Sequence, residues 1–307
     1  MTTLVFPGQG SQFVGMSKDF YDEFDIAKDV FHIIENSTEI KIKEIIFQNT
    51  DNLLDITQYT QVSIFCASMA IYKVFNSLID KNKYNITYSL GHSLGEYSSL
   101  VASEVLSIED CAKILKVRGE LMQNAYSNNK SGMAAVIGLN SQQMQEIITK
   151  NNLEIQIAND NSPLQVVISG TIDNLNISES IILNNGAKKF IKLNVSAAFH
   201  SKLMNQAEKK FVSFLDSFNF KDAIFPIISN FNALQTQNSN EIFKNISNQM
   251  SNRVRWTESI KNLEKTGEKK IIEIGPGKVL SGLIKRISNN FDIISINSVK
   301  DMEDLFK

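Results

Sequence analysis

The chain is poor in the residues that build metal centres and disulfide frameworks. Its 307 residues include two cysteines, Cys66 and Cys111, too few for a cysteine-based zinc site or a disulfide scaffold. Three histidines, His32, His92 and His200, limit any imidazole-based metal cluster as sharply. Positive charge is not in surplus: 31 Lys plus Arg oppose 33 Asp plus Glu, a net charge of −2, which argues against a protein that grips nucleic acid with a basic face. No apolar run approaches the roughly 18 to 20 residues that span a bilayer. The start, Met1 to Gly8, lacks a basic region followed by an apolar stretch and a cleavage site. The expected setting is a reducing cytoplasm, with both cysteines buried and inert on helix faces. Arginine is scarce too, confined to Arg118, Arg253, Arg255 and Arg286; the other basic residues are lysine.

What remains is an ordinary globular composition, 43% hydrophobic and 21% charged, long enough for about two domains. Thr3 to Phe6 reads as a strand entering the turn Pro7-Gly8-Gln9-Gly10. Helices are expected over Lys18–Phe31 and Gln61–Ile79, the latter with apolar positions 62, 65, 66, 69 and 70. Ile86–Leu90 is a strand broken by Gly91-His92-Ser93-Leu94-Gly95, with a helix following through Tyr97, Leu100 and Val101. Ser107 opens another helix to about Ala125, with Asp110 placed for a capping box.

The polar cluster Ser127–Gly132 marks a change of texture. Beyond it come strand 133–139, helix 142–150, strand 155–158, a turn over Asn159–Pro163, strand 165–169, helix 172–185 and strand 189–195. That βαββαβ order is the signature of a ferredoxin-like unit. It is expected as a subdomain over 130–196, inserted into a larger α/β domain made of 1–129 and 197–307. The larger domain resumes with helix 202–218, strand 225–229, helix 241–250, strand 270–274, helix 279–287 and strand 291–296, an alternation that implies a parallel sheet between helical layers. No internal repeat is visible.

Gly91-His92-Ser93-Leu94-Gly95 fits G-x-S-x-G in the strand–turn–helix context that a nucleophile elbow requires. The alternative is a purely structural turn. As an elbow it exposes the Ser93 hydroxyl at the strand end and points the Leu94 N–H to where an oxyanion would develop. The serine then needs a base. His32 falls in an early amphipathic helix and His92 adjoins the serine within the turn. That leaves His200, set among the small residues of Ser196-Ala197-Ala198-Phe199-His200-Ser201. No aspartate stands out as a third member, and a carbonyl or amide acceptor can orient an imidazole instead.

In the helix after Ser107 the apolar stripe runs through Cys111, Ile114, Leu115, Leu121, Met122 and Ala125, with Arg118 in its middle. A guanidinium there must find an anion. One reading is a structural ion pair or an arginine whose stem snorkels past the core. The other, favoured by a serine one helix upstream, is bidentate recognition of a substrate carboxylate, which lysine cannot provide. At the N-terminus, Gly8-Gln9-Gly10 fails as a dinucleotide-binding loop because the third glycine falls on Phe13, and no Walker lysine follows. A glycine turn at a strand end can instead offer a second oxyanion donor, the Gln9 N–H.

These segments, with Val-Arg-Gly at 117–119, Ala-Asn-Asp-Asn-Ser-Pro at 158–163, Val-Val-Ile-Ser-Gly at 166–170, Ala-Phe-His-Ser at 198–201 and Glu-Ile-Gly-Pro-Gly-Lys-Val-Leu at 273–280, occur in one order. In that order the chain resembles the malonyl-CoA:acyl carrier protein transacylases of bacterial type II fatty acid synthesis, over essentially its whole length. The resemblance implies a hydrolase-like α/β domain with a ferredoxin-like insert. It implies a Ser93–His200 dyad, an oxyanion hole from Gln9 and Leu94, and carboxylate recognition by Arg118. It implies further that the Gln249 backbone carbonyl orients the histidine, that Gln61 and Asn159 line the pocket, and that Phe199 suits malonyl over bulkier groups. The expected partners are malonyl-CoA and acyl carrier protein, whose phosphopantetheine is the acceptor. A monomer is expected, with no metal, no cofactor of its own, no nucleic acid and no membrane. Thr60-Gln61-Val62-Ser63 departs from the family's usual Thr-Gln-Pro-Ala and touches no catalytic role. The alternatives are a trans-acting acyltransferase of a polyketide pathway and a serine thioesterase or hydrolase.

Overall fold

A computed structural model of the chain describes residues 1–80, 84–125 and 130–306. Ser127 to Asn129 of the polar cluster, and with them the expected domain boundary at 129, lie outside the described residues. The strands in chain order are β1 (Thr2–Phe6), β2 (Ile86–Gly91), β3 (Ser131–Ile137), β4 (Ile155–Ser162), β5 (Gln165–Thr171), β6 (Lys189–Lys192), β7 (Ile227–Ile228), β8 (Gln235–Thr236), β9 (Lys270–Ile274) and β10 (Asp292–Ile296).

The larger sheet has the order β10-β9-β1-β2-β7-β8, parallel from β10 to β7 with an antiparallel edge at β8. Helices cover both faces. Leu4 and Phe6 of β1 pack into one apolar cluster while Val5 between them packs into the other, and every residue of β1, Thr2 and Thr3 included, is buried, as in a strand covered on both faces. The helix Thr57–Leu78 lies in the larger cluster and is buried almost all round from Thr60 to Phe75, beyond the single stripe its sequence suggests.

The smaller sheet is antiparallel with the order β4-β5-β3-β6, and the helices Ser141–Lys150 and Ile172–Asn184 complete a βαββαβ chain order. Its two faces have different partners. Ala134, Val136, Val166 and Ile168 pack on those helices, whereas Met133, Ala135 and Val167, one residue out of phase, join the core of the larger sheet.

Several boundaries differ from expectation. The first expected helix, 18–31, is two, Lys18–Glu23 and Asp25–Thr38, because Phe24 takes an extended conformation. The long helix begins at Thr57, not Gln61, which puts Val62 inside the helix rather than at its start. The turn expected over Asn159–Pro163 is strand as far as Ser162, because Asn159 bridges Val254 and the ladder to β5 absorbs register shifts there. Expected helix 202–218 is a 3₁₀ turn, Lys202–Met204, followed by Asn205–Leu215. Strand 225–229 contracts to β7, strand 189–195 to β6, and helix 241–250 becomes Ser239–Ser247, which leaves Gln249 in a loop. Helices Ile42–Gln48, Trp256–Lys265 and Val299–Phe306 had no expectation.

Candidate active site

Two strand ends meet at the site. β1 and β2 run parallel with Phe6 paired to Gly91, so the glycine turn after β1 lies beside the elbow after β2. Such carboxyl ends are where open parallel sheets accept ligands. Ser93 sits at φ 53°, a left-handed conformation that a non-glycine residue adopts at a cost of about 1–2 kcal/mol. Close packing holds it there: a Cβ on Gly91 would lie 2.0 Å from the Gly95 carbonyl carbon, and one on Gly95 would lie 2.1 Å from the Phe6 oxygen. Asn230 clamps the same turn, its Oδ1 accepting from the Ser93 N–H at 2.7 Å and its Nδ2 donating to the Gly91 carbonyl at 2.6 Å. The Ser93 amide is thus occupied. Among the described residues no hydrogen bond uses the N–H of Gln9 or of Leu94.

His200 reaches the serine from a different region and also has positive φ, 56°. The Ser93 hydroxyl lies 2.8 Å from its Nε2. Its Nδ1 faces two backbone carbonyls, Gln249 at 3.0 Å and Asn252 at 3.2 Å. Carbonyls only accept, so Nδ1 carries the proton and Nε2 presents a lone pair to the serine. Burial, reinforced by the Arg118 charge, pulls the imidazole down to about 3, which keeps it a neutral base throughout the physiological range. Neither of the other two histidines bonds the serine hydroxyl, although His92 also lines the cavity beside it. His92 is held at Nε2 by Asn161 Oδ1 at 2.8 Å and lies against Trp256, and His32 is exposed.

Arg118 is 1% exposed and has no carboxylate within salt-bridge distance among the described residues. Its Nη1 donates to Gln61 Oε1 at 2.6 Å; its Nη2 donates to Gln249 Oε1 at 2.9 Å and to Ser93 Oγ at 3.2 Å, and the Tyr97 ring lies 5.2 Å from the guanidinium carbon. The Nε atom is buried without a partner. Beneath it, Glu96 is also buried, and desolvation pushes its carboxyl up to about 7 against the hydrogen bonds that favour its charge.

Ser93, His200 and Arg118 open onto a cavity of about 250 Å³ between the two sheets. Gln9, Gln61, Leu94, Asn159 and Phe199 line it, and Met133, Ala135 and Val167 bring the inner face of the smaller sheet to it. Asn159 Oδ1 is buried there without a partner. All the residues expected to line the pocket therefore do so. Gln249 lies behind it, and its side chain as well as its carbonyl enters the network. Asn230, Asn252 and Glu96 had no expectation: Glu96 follows the elbow by one residue, and nothing local in the sequence marks the two asparagines. No group of three or more His, Cys, Asp or Glu side chains among the described residues is arranged to hold a metal ion.

The acyl transferase domain family matches residues 3–303. The chain belongs to that family. Among curated proteins, this acyl transferase is 36% identical to the malonyl CoA-acyl carrier protein transacylase of Bacillus subtilis over 97% of this chain and 94% of that one. It is 39% identical to the Staphylococcus aureus protein of the same name over 98% and 97%. The crystal structure of an acyl-carrier-protein S-malonyltransferase from Bartonella henselae superposes with a TM-score of 0.94 at 34% identity, covering 99% of this chain and 98% of that one. A malonyl-transacylase solved in complex with a type II polyketide acyl-carrier protein superposes at 0.93 with 31% identity, covering 98% and 97%.

Proposed function

We propose that this acyl transferase moves the malonyl group of malonyl-CoA to the phosphopantetheine thiol of acyl carrier protein through an ester on Ser93. One observation carries the reading: a buried arginine with no carboxylate partner among the described residues stands 3.2 Å from the nucleophile. Such a cation suits an acyl group that brings its own negative charge. His200 Nε2 takes the Ser93 proton as Oγ attacks the thioester carbonyl, and the N–H groups of Gln9 and Leu94 receive the oxyanion. The C–S bond breaks, the histidine's proton goes to the departing coenzyme A sulfur, and malonyl-Ser93 remains with its carboxylate on Arg118. In the second half His200 takes the proton of the pantetheine thiol, the sulfur attacks the ester, and Ser93 leaves and regains a proton from His200. No further cofactor enters this scheme. Gln61 steadies the guanidinium, and Asn159 and Phe199 shape the pocket.

The same reading makes 130–196 a ferredoxin-like subdomain inserted into a hydrolase-like domain of 1–129 and 197–307; the strand order of the smaller sheet supports it. It also carries a monomer working in the cytoplasm. Loading a polyketide carrier would use the same chemistry, a reading supported by the carrier complex of the superposed transacylase. The test is intact-mass measurement after malonyl-CoA is added. A malonyl adduct is expected on the native chain, absent from Ser93→Ala, stable in water for longer than the assay, and discharged by acyl carrier protein. An adduct that water removes as fast as the carrier does would identify a thioesterase instead. Comparing fatty acid and polyketide carriers as acceptors separates the two pathways.

A further inference from the structure

Glu96 takes no part in the scheme above, yet it is 2% exposed and lies on the helix Gly95–Ala102, three residues beyond the nucleophile. Its Oε2 accepts from Gln249 Nε2 at 2.6 Å and from the Asn230 N–H at 3.2 Å. Gln249 Nε2 makes its second bond to the Ser93 carbonyl at 3.0 Å, and Gln249 Oε1 accepts from Arg118 Nη2 at 2.9 Å. An amide has one face that donates and one that accepts. The Ser93 carbonyl accepts only, and Glu96 Oε2, already accepting from the Asn230 N–H, faces Gln249 as a second acceptor, so both call for the NH₂ group, and the oxygen must then turn to the arginine. A flipped amide would set N–H against the guanidinium N–H groups and oxygen against oxygen at the other end. We infer that Glu96 is a positioning residue for Arg118: by fixing which face of the Gln249 amide meets the guanidinium, it sustains the preference for acyl groups that carry a carboxylate. The inference rests on the assignment of Arg118 to the malonyl carboxylate.

Glu96 also binds the Asn230 backbone, so a purely structural role in holding the elbow is the competing account. The ratio of kcat/KM for malonyl-CoA to that for acetyl-CoA separates them, since a smaller folded fraction lowers both values together and leaves their ratio unchanged. Glu96→Gln keeps an oxygen in reach of Gln249 Nε2 but removes the charge. Glu96→Asp keeps the charge but withdraws it by one methylene. The ratio is expected to stay within about threefold of native in Glu96→Gln and to fall by about fivefold or more in Glu96→Asp. Glu96→Ala, expected to fall by as much, replaces Glu96→Asp if that chain does not accumulate. Arg118→Ala measured alongside sets the full loss. A native ratio in Glu96→Asp or Glu96→Ala, or a fivefold drop in Glu96→Gln, overturns the role of Glu96 while leaving that of Arg118 intact. An unchanged ratio in Arg118→Ala removes the assignment on which the inference stands, and the inference with it.

Discussion

The two halves of the dyad are held in opposite ways. Ser93 and His200 both sit at positive φ, 53° and 56°, and both need surroundings that over-determine the backbone. On the serine side the constraint is partly local: β2, two glycines four residues apart and the first turn of a helix, with the Phe6 carbonyl of β1 closing on Gly95, leave the chain no other path. On the histidine side it is almost wholly remote. The His200 N–H donates to the Met250 carbonyl at 3.1 Å, and its ring is oriented by the carbonyls of Gln249 and Asn252, some fifty residues away in sequence. A side-chain clamp, Asn230, reinforces the first. Backbone carbonyls supply the second, so no single side-chain deletion removes them.

Arg118 joins the two sides, touching Ser93 Oγ directly and the histidine's loop through Gln249, and its loss should have the largest effect. Breaking a buried carboxylate pair costs roughly 3–5 kcal/mol, so Arg118→Ala should lower the malonyl over acetyl preference by a hundredfold to a few thousandfold. Steady-state rates with both thioesters measure this, and an unchanged preference sinks the assignment. Asn230→Ala comes next. It strands the Ser93 N–H and the Gly91 carbonyl in the interior, which should cost about 1–3 kcal/mol of stability, and misplacement of the nucleophile should lower kcat roughly tenfold to a hundredfold. Asn252→Ala, its counterpart on the histidine side, leaves the orienting carbonyl in place and should change kcat by no more than about threefold. If Asn252→Ala proved as damaging as Asn230→Ala, the contrast between a side-chain clamp and a backbone one would be wrong.

The same contrast decides what was legible before the fold was known. The elbow is a five-residue pattern between a strand and a helix, and Arg118 betrays itself by breaking an apolar stripe; both are local signals. His200 emerged only because histidine is scarce. Its orienting carbonyls have no sequence signature, since any residue type on the right backbone path would supply them, and Gln249 came from resemblance alone. Turn-forming residue types misled at Asn159–Ser162, where tertiary bridging to Val254 overrides local preference. The helices Trp256–Lys265 and Val299–Phe306 were missed although their buried residues, Trp256, Ile260 and Leu263 in one and Val299 and Met302 in the other, recur at helical spacing. Glu96 was in plain view beside the elbow, but only the fold reveals that its carboxylate meets Gln249.

Acid titration gives the most specific test of how the two sides differ. An unfolded histidine titrates near 6.5 and His200 at about 3, so between those values the unfolded chain binds a proton that the folded chain does not. The stability this group supports is complete above pH 6.5 and is lost as pH falls toward 3. His92 is shifted in the same direction by its burial. Glu96 on the serine side has the opposite sign. Its carboxyl moves from 4.5 to about 7, the folded chain holds the extra proton, and stability rises as pH falls from 7 to 4.5. The two effects oppose one another from 6.5 to 4.5, and below that only the histidine loss continues. Urea unfolding at pH 8, 6, 5 and 4 should therefore show His200→Gln gaining stability relative to native as pH falls. Glu96→Gln should show its greatest relative stability at pH 8 and give it up by pH 4. Parallel stability curves for the three chains would mean that neither group titrates in the folded protein as its burial dictates.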